Sequence, residues 1–195
     1  MSPPPAAAGS GTRLDEVLPR FDVSKTHRLP VAAPAGRTFE ALERYDPRES
    51  GFTRLLMALR GYGRLVRRPE RPAGLAASLG AAGFVPLGGR PGRELVFGLV
   101  GKFWTPRGGV RAVSCEEFLA FAEEGYAKAA WNLSVEAADE SRSLLTTETR
   151  VLCFGRGARR RFAVYWQTIE VFSGAIRMAM LRGIRRRALS GGGDS

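Results

Sequence analysis

The sequence predicts an α+β domain in which a curved antiparallel sheet wraps around a long C-terminal helix. Two patterns carry this prediction. Between residues 127 and 154, apolar residues alternate with polar ones in two runs joined by a turn, which is the period of half-buried strands. Between residues 158 and 189, apolar residues recur every three or four positions, as on one face of a helix. Since so long an apolar face needs a broad partner surface, we expect the sheet to supply it.

The composition is that of a globular protein with one domain. The chain has 195 residues, of which 44% are hydrophobic, enough for a core. We expect one domain over residues 21–190, with disordered tails at 1–20 and 191–195, because the ends are rich in small residues and, at the N-terminus, in proline. The N-terminus lacks the basic and apolar segments of a secretory signal, so a cytoplasmic location is expected.

The net charge of +11 is carried almost entirely by arginine. A charge of this size can favour nucleic acid or anionic lipid. Arginines cluster at 156–161 and 182–187, but the chain has neither the aromatic and basic interleaving of an RNA-binding sheet nor zinc-finger spacing. We therefore consider nucleic acid an unfavoured partner and keep weak association with an anionic membrane surface as an open alternative.

The N-terminal half predicts one strand followed by two or three short helices. The strand runs from 23 to 31, with Val23, His27, Leu29 and Val31 on one face. Helices are expected over 38–44, which would bury Phe39 and Leu42, over 52–66, and over 74–82, where a glycine at 83 supplies the stop.

The second half predicts the rest of the sheet. Short strands are expected at 84–87, 94–104 and 110–113, with a turn at 88–92. A hairpin follows, in which the strand over 127–137 turns its odd positions inward and its even positions to water. The returning strand over 144–154 places Glu148 and Arg150 outward as a surface pair. Its inward set is Leu145, Thr147, Thr149, Val151 and Cys153.

The C-terminal helix is predicted over residues 158–189. A bend at 173–174 is considered because Ser-Gly pairs are common kink sites. A strand over 162–166 is the alternative. The apolar stripe that predicts the helix consists of Phe162, Trp166, Ile169, Phe172, Ile176, Met180 and Ile184.

The order of elements and four segments resemble the StAR-related lipid-transfer, or SRPBCC, superfamily. HRLPVAAPAGRTFEAL is similar to that family's first strand and following helix, and RELVFGLVGKFW, LLTTETRV and RRRFAVYWQTI resemble later elements of an uncharacterised bacterial branch. The resemblance covers about residues 22–188. It implies a helix-grip fold, in which the gap between sheet and last helix holds an apolar small molecule such as a lipid, polyketide or quinone. It implies no catalytic residue, because the family has no universal set.

The candidate ligand-binding residues are those placed around this gap. The bulky side chains would either line a pocket or fill the core, whereas the hydroxyl groups and the imidazole would bind a ligand's polar end or backbone groups. The set consists of Phe97, Leu99, Phe103, Trp131, Leu133, Thr147, Thr149, Tyr165, Trp166, Ile169, Phe172 and His27.

The sequence disfavours metal and cofactor chemistry. It has one histidine, and its two cysteines, Cys115 and Cys153, have neither ligand spacing nor a nucleophile motif. We therefore expect no metal and no cofactor, and favour a non-catalytic binder or carrier of a hydrophobic small molecule. A polyketide cyclase or dehydratase-like enzyme, with His27, Tyr165 or a threonine as acid, base or ligand orienter, is one alternative. A basic module that docks on anionic lipid or nucleic acid is the other.

Overall fold

Ten helices and strands make up the part of the chain that a computed structural model describes, residues 11–47, 74–105 and 109–190. The predicted helix over 52–66 lies outside these residues. In chain order the elements are α1 (Arg13–Val17), β1 (Val23–Val31), α2 (Ala35–Glu43), α3 (Gly74–Ala81), β2 (Val85–Arg90), β3 (Glu94–Gly101), α4 (Cys115–Ala120), β4 (Ala127–Ala137), β5 (Ser143–Cys153) and α5 (Arg156–Ser190).

The five strands form one curved antiparallel sheet in the order β1-β5-β4-β3-β2. The predicted hairpin is β4 and β5, with Trp131 opposite Thr149. Strand β1 pairs with β5 along its whole length, which sets His27 opposite Thr147. The first strand thus joins the sheet beside the last one, and α5 packs on the sheet's concave face. This is the predicted α+β helix-grip architecture.

Helix α5 is continuous over 35 residues. The alternative of a strand over 162–166 is therefore wrong. The C-terminal half of α5 buries Ile176, Met180 and Ile184 against α2, α3 and the central strands. Its N-terminal half buries Phe162 against a second cluster that includes Leu99. Burial of these side chains along several turns is what fixes the helix on the sheet.

Helices α1 and α4 cover the opposite face of the sheet. Leu14 and Leu18, which follows α1, pack there with Phe118 of α4 against Val96 and Ala130. A capping box starts each helix, Thr12 with Asp15 in α1 and Ser114 with Glu117 in α4. The expectation of a disordered tail over 1–20 is therefore wrong for residues 11–20, because burial of apolar side chains and the cap order this segment.

On the even-numbered face of β4, Lys128, Ala130 and Asn132 are buried rather than wet, because α1 and α4 lie over them. Ser134 is half-buried and Glu136 is exposed, as predicted. The Lys128 ammonium donates to the carbonyl oxygens of Phe118 and Leu119 at the end of α4, both at 3.3 Å. The Asn132 side-chain amide donates to the Glu94 carboxylate at 2.8 Å. These bonds satisfy polar groups that would otherwise be costly to bury.

Arg150 is likewise buried and is not part of a surface pair. Its guanidinium lies 2.7 Å from the carboxylate of Glu148 and 2.7 Å from that of Asp15 in α1. It also donates to the carbonyl oxygen of Leu18 at 3.3 Å. The N-terminal segment therefore supplies two of the partners that allow this charge to be buried.

Several element boundaries differ from the predicted ones. Helix α2 begins at Ala35 instead of residue 38, and β2 continues to Arg90 through residues assigned to the turn. The expected strand over 110–113 is only a single bridge between Val100 and Arg111. A Cβ at Gly89 would clash with the carbonyl oxygen of Glu94, so glycine here permits the close strand pairing. None of the helices described in residues 11–47, 74–105 and 109–190 is long and apolar enough to cross a bilayer.

Candidate functional site

A cavity of about 70 Å³ lies between the concave face of the sheet and α5. It lies where the core cluster that contains Ile176, Met180 and Ile184 meets the cluster that contains Leu99 and Phe162, and these two are called the concave-side clusters below. It exceeds the roughly 10–15 Å³ that one water molecule requires. It is smaller than the roughly 300–1,000 Å³ typical of pockets for drug-sized ligands. A small-molecule ligand of that size would therefore have to displace side chains on entering.

Five of the predicted ligand-binding residues line this cavity. They come from β3, the turn that follows it, β4, β5 and the N-terminal half of α5, so the alternation of the strands and the first part of the helical stripe point to the same space. These five are Leu99, Phe103, Trp131, Thr149 and Trp166.

Nine lining residues were not among the candidates. Ala129 and Val151 could have been found from the alternation of β4 and β5, and Phe162, Ile176 and Met180 belong to the predicted helical stripe. Arg177 carries no such signal, because a charged residue on a helix is ordinarily expected in water. The remaining three are Leu79, Phe84 and Ser173.

Several predicted residues lie in the core outside the cavity lining. Phe97 packs behind Trp131, with ring centroids 5.3 Å apart, and Leu133 belongs to the same core cluster. Thr147 donates its hydroxyl to the backbone carbonyl of Asn132 at 2.6 Å, so the sheet itself satisfies this group. Tyr165 contacts the Phe162 ring at the edge of the second cluster.

The prediction that Phe172 faces the pocket is wrong. Its side chain is 47% exposed, whereas the neighbouring Ser173 is buried and lines the cavity. Ile169 is half-buried and does not line the cavity. A spacing of three or four residues fits either Phe172 or Ser173 as the inward residue. The smaller Ser173 faces inward because α5 approaches β1 closely at this level.

The polar groups of the lining are donors or hydroxyls. The Arg177 guanidinium carbon lies 4.0 Å from the ring centroid of Trp131, a cation–π contact at the cavity wall. The Trp131 side chain is buried, and among the described residues its indole Nε1 has no hydrogen-bond partner. Both groups can only donate. A hydrogen-bond acceptor is therefore the complementary chemistry at this wall.

His27 faces α5 and does not line the cavity. A Cβ at Gly174 would lie 3.2 Å from His27 Nε2, so the glycine lets the helix and β1 come together. The Nδ1 atom is buried and has no hydrogen-bond partner within the described part of the chain. Burial, reinforced by the positive charges of Arg177 and Lys25, lowers the pKa of His27 below its usual 6.5.

We expect the free energy of unfolding to fall as the pH decreases below 6.5. Because the pKa of His27 is lower in the folded protein, the unfolded chain binds more protons in this range. The stability contribution is fully present above 6.5 and is lost as the pH falls through the folded-state pKa. Urea unfolding at several pH values on either side of 6.5 measures it. In a His27→Gln variant the free energy of unfolding should no longer fall just below pH 6.5, but it should still fall at lower pH, where carboxylates are protonated. A pH profile identical to that of the wild type would contradict the assignment to His27.

Neither cysteine lines the cavity. Burial, together with the charge of Asp22, raises the pKa of the Cys153 thiol to about 12, so it is not a nucleophile near neutral pH. Cys115 is also a free thiol and lies on α4, on the other face of the sheet. Residues 11–47, 74–105 and 109–190 contain no group of three or more His, Cys, Asp or Glu side chains placed to hold a metal ion.

Comparisons with known proteins give structural likenesses but no family. No family model and no curated protein matches the sequence. Among solved structures, the Zhui aromatase/cyclase from Streptomyces sp. R1128 is similar with 16% sequence identity, over 88% of this chain and 99% of that chain, at a TM-score of 0.34. A similarity of this extent carries no argument about function, and the fold assignment depends on the sheet order and on the position of α5.

Proposed function

We propose that the chain binds a hydrophobic small molecule in the space between the concave sheet and α5. The observation that carries the proposal is the cavity at the junction of the two concave-side clusters. Its wall is largely apolar and aromatic, with few polar groups, which is the usual composition of a small-molecule site. The resemblance of the sequence to the SRPBCC superfamily favours the same function.

The ligand would enlarge the cavity by moving side chains at its edge. Trp131 is fully buried and held by Phe97 and Phe84, whose ring centroids lie 5.3 and 6.1 Å from its own. Trp166 is half-buried and stacks on Phe162 with a centroid separation of 5.7 Å. Because a partly exposed ring has fewer packing contacts to lose, Trp166 is the side chain that gives way in this proposal.

The polar end of the ligand would carry an acceptor such as a carbonyl, phenolate or carboxylate. Arg177 and the Trp131 indole offer only donors, and Thr149 and Ser173 add hydroxyls. A buried donor without a partner is costly, so an acceptor placed against Trp131 Nε1 would gain more than one placed against a solvated group. The proposed ligand class is therefore an apolar or aromatic body with one acceptor end.

Binding is favoured over catalysis because the candidate base does not reach the cavity. His27 is the only histidine of the chain, and it lies against Gly174 rather than in the lining. With His27 as the acid or base, the cyclase or dehydratase alternative would need the imidazole to approach the bound molecule. Thr149, which lines the cavity, is the residue that this alternative could still use as a ligand orienter. A lipid or aromatic compound bound without conversion is the function that this arrangement supports best.

We expect Ala129→Leu to weaken binding by about tenfold or more, which corresponds to about 1.4 kcal/mol. Ala129 lines the cavity, so three further carbon atoms on its side chain would occupy space that the ligand needs. The probe is anilinonaphthalene sulfonate, a dye with apolar rings and one anionic group, titrated by fluorescence. Native mass spectrometry and organic extraction of the purified chain identify any compound that copurifies.

Ala137→Leu is the matched control. Ala137 lies on the same face of β4 but is exposed near the hairpin turn, so the same change should leave dye affinity unchanged. Thermal unfolding of both variants checks that each is folded. Equal affinities for wild type and Ala129→Leu, together with an extract that contains no bound compound, would refute the proposal.

A further inference from the structure

The outward face of α5 carries exposed apolar side chains, with Val164 and Val171 opposite its buried stripe and Phe172 on the flank between them and the stripe. Val164, Val171 and Phe172 are 65%, 77% and 47% exposed. They are seven and eight residues apart, about two helical turns, and so share one side of the helix. Large apolar groups grouped on one exposed side are typical of an interaction surface rather than of a wet one.

Arginines flank this apolar segment at both ends. Arg160 and Arg161 precede it, Arg182 and Arg186 follow it, and all four are exposed. Glu170 is the single carboxylate in the sequence of α5, and it forms an ion pair with Lys25 of β1 at 2.5 Å. The outward face therefore combines an apolar centre with positive ends that no carboxylate of α5 offsets.

We propose that this face docks on a membrane surface that contains anionic lipid. The helix would lie in the plane of the interface, with Val164, Val171 and Phe172 entering the boundary between headgroups and acyl chains. The arginines would meet the anionic headgroups. This inference depends only on the exterior of α5, so a test of the cavity proposal does not decide it.

Charge and polarity favour lipid over the two other occupants. Two copies packed through this face would place arginine clusters against each other, in a parallel as well as an antiparallel arrangement, and like charges in contact are repulsive. Nucleic acid would neutralise the arginines but would set phosphates against Val171 and Phe172. A lipid surface is complementary to both parts of the face.

The test is cosedimentation of the full chain with vesicles of phosphatidylcholine alone or mixed with phosphatidylglycerol. We expect binding to the mixed vesicles that weakens as salt is added. Arg182→Gln with Arg186→Gln should reduce partitioning by about 25-fold, roughly fivefold for each charge removed. Val171→Ser with Phe172→Ser should reduce it by about tenfold or more, because exposed apolar area is lost without any change in charge.

Matched controls change the same chemistry elsewhere. Leu119→Ser alters a side chain that is 44% exposed on α4, on the far side of the sheet, and Arg142→Gln removes an exposed charge from the β4–β5 turn. Both should bind vesicles as the wild type does. The proposal is overturned if neutral vesicles bind equally well, or if the Val171/Phe172 variant binds unchanged. It is also overturned if the wild type is a dimer in solution and the Val171/Phe172 variant is a monomer. Binding of the wild type to RNA but not to vesicles would overturn it as well.

Discussion

Replacing Ile184 with alanine is expected to lower the free energy of unfolding by about 2–5 kcal/mol. Ile184 is fully buried on α5, in the cluster that also holds Leu42 of α2 and Leu75 of α3. Truncation would remove transfer free energy and leave a void that close-packed neighbours fill only in part. Urea unfolding followed by circular dichroism measures the change.

Val171→Ala on the same helix is the control for this prediction. Val171 is the most exposed large apolar residue among those described on α5, so we expect a change within about 0.5 kcal/mol. Both substitutions remove carbon atoms from one helix and differ mainly in burial. Similar losses for the two variants would contradict the orientation of α5 on the sheet.

The second large effect is expected for Gly183→Ala, where α5 contacts Tyr45 in the segment that follows α2. A Cβ at position 183 would lie 2.5 Å from Tyr45 Cε2 and 2.8 Å from its hydroxyl oxygen. The Tyr45 ring is itself buried in the core, so it has little room to yield. Overpacking of this kind costs about 1–3 kcal/mol. The same substitution in an open part of a helix stabilises by up to about 1 kcal/mol, so the sign of the change is informative.

Gly36→Ala in α2 supplies the matched comparison. A Cβ there meets no heavy atom within 4 Å, so the alanine should leave the protein as stable or slightly more stable. The midpoints of thermal and urea unfolding should fall for Gly183→Ala and should stay unchanged or rise slightly for Gly36→Ala. If Gly183→Ala stabilised the protein as Gly36→Ala does, the close packing of α5 on Tyr45 would be refuted.

Alternation predicted the hairpin well because most of its odd-numbered face is buried. Strand β4 runs from Ala127 to Ala137, as its apolar odd positions indicated. The other face could not be predicted in the same way, because Lys128 and Asn132 have the polarity of wet positions. They are buried through hydrogen bonds to α4 and to Glu94, which are contacts between residues distant in sequence. Local patterns contain no information about such partners.

Five of the fourteen residues that line the cavity were predicted, for a related physical reason. Trp131 and Thr149 follow from strand parity, and Trp166 follows from helical spacing. The choice between Phe172 and Ser173 depends on how closely β1 approaches α5, which the spacing alone does not determine. Arg177 was missed because its place at the cavity depends on stacking over Trp131, not on its own polarity.

The cover that α1 provides has a practical consequence for handling the chain. A truncated protein that starts at residue 21, the domain boundary that composition suggests, would lack Leu14, Val17 and Leu18. The side chains of Val96, Val100 and Ala130 would then be exposed to solvent. Arg150 would lose Asp15, and the Glu94 carboxylate would lose the backbone amide of Arg13 that donates to it at 2.7 Å. Such a protein would expose an apolar sheet face beside a guanidinium that has lost one of its carboxylate partners. A surface of this kind favours aggregation. Trimming for expression or crystallisation should therefore stop before Thr12, where the cap of the first helix begins.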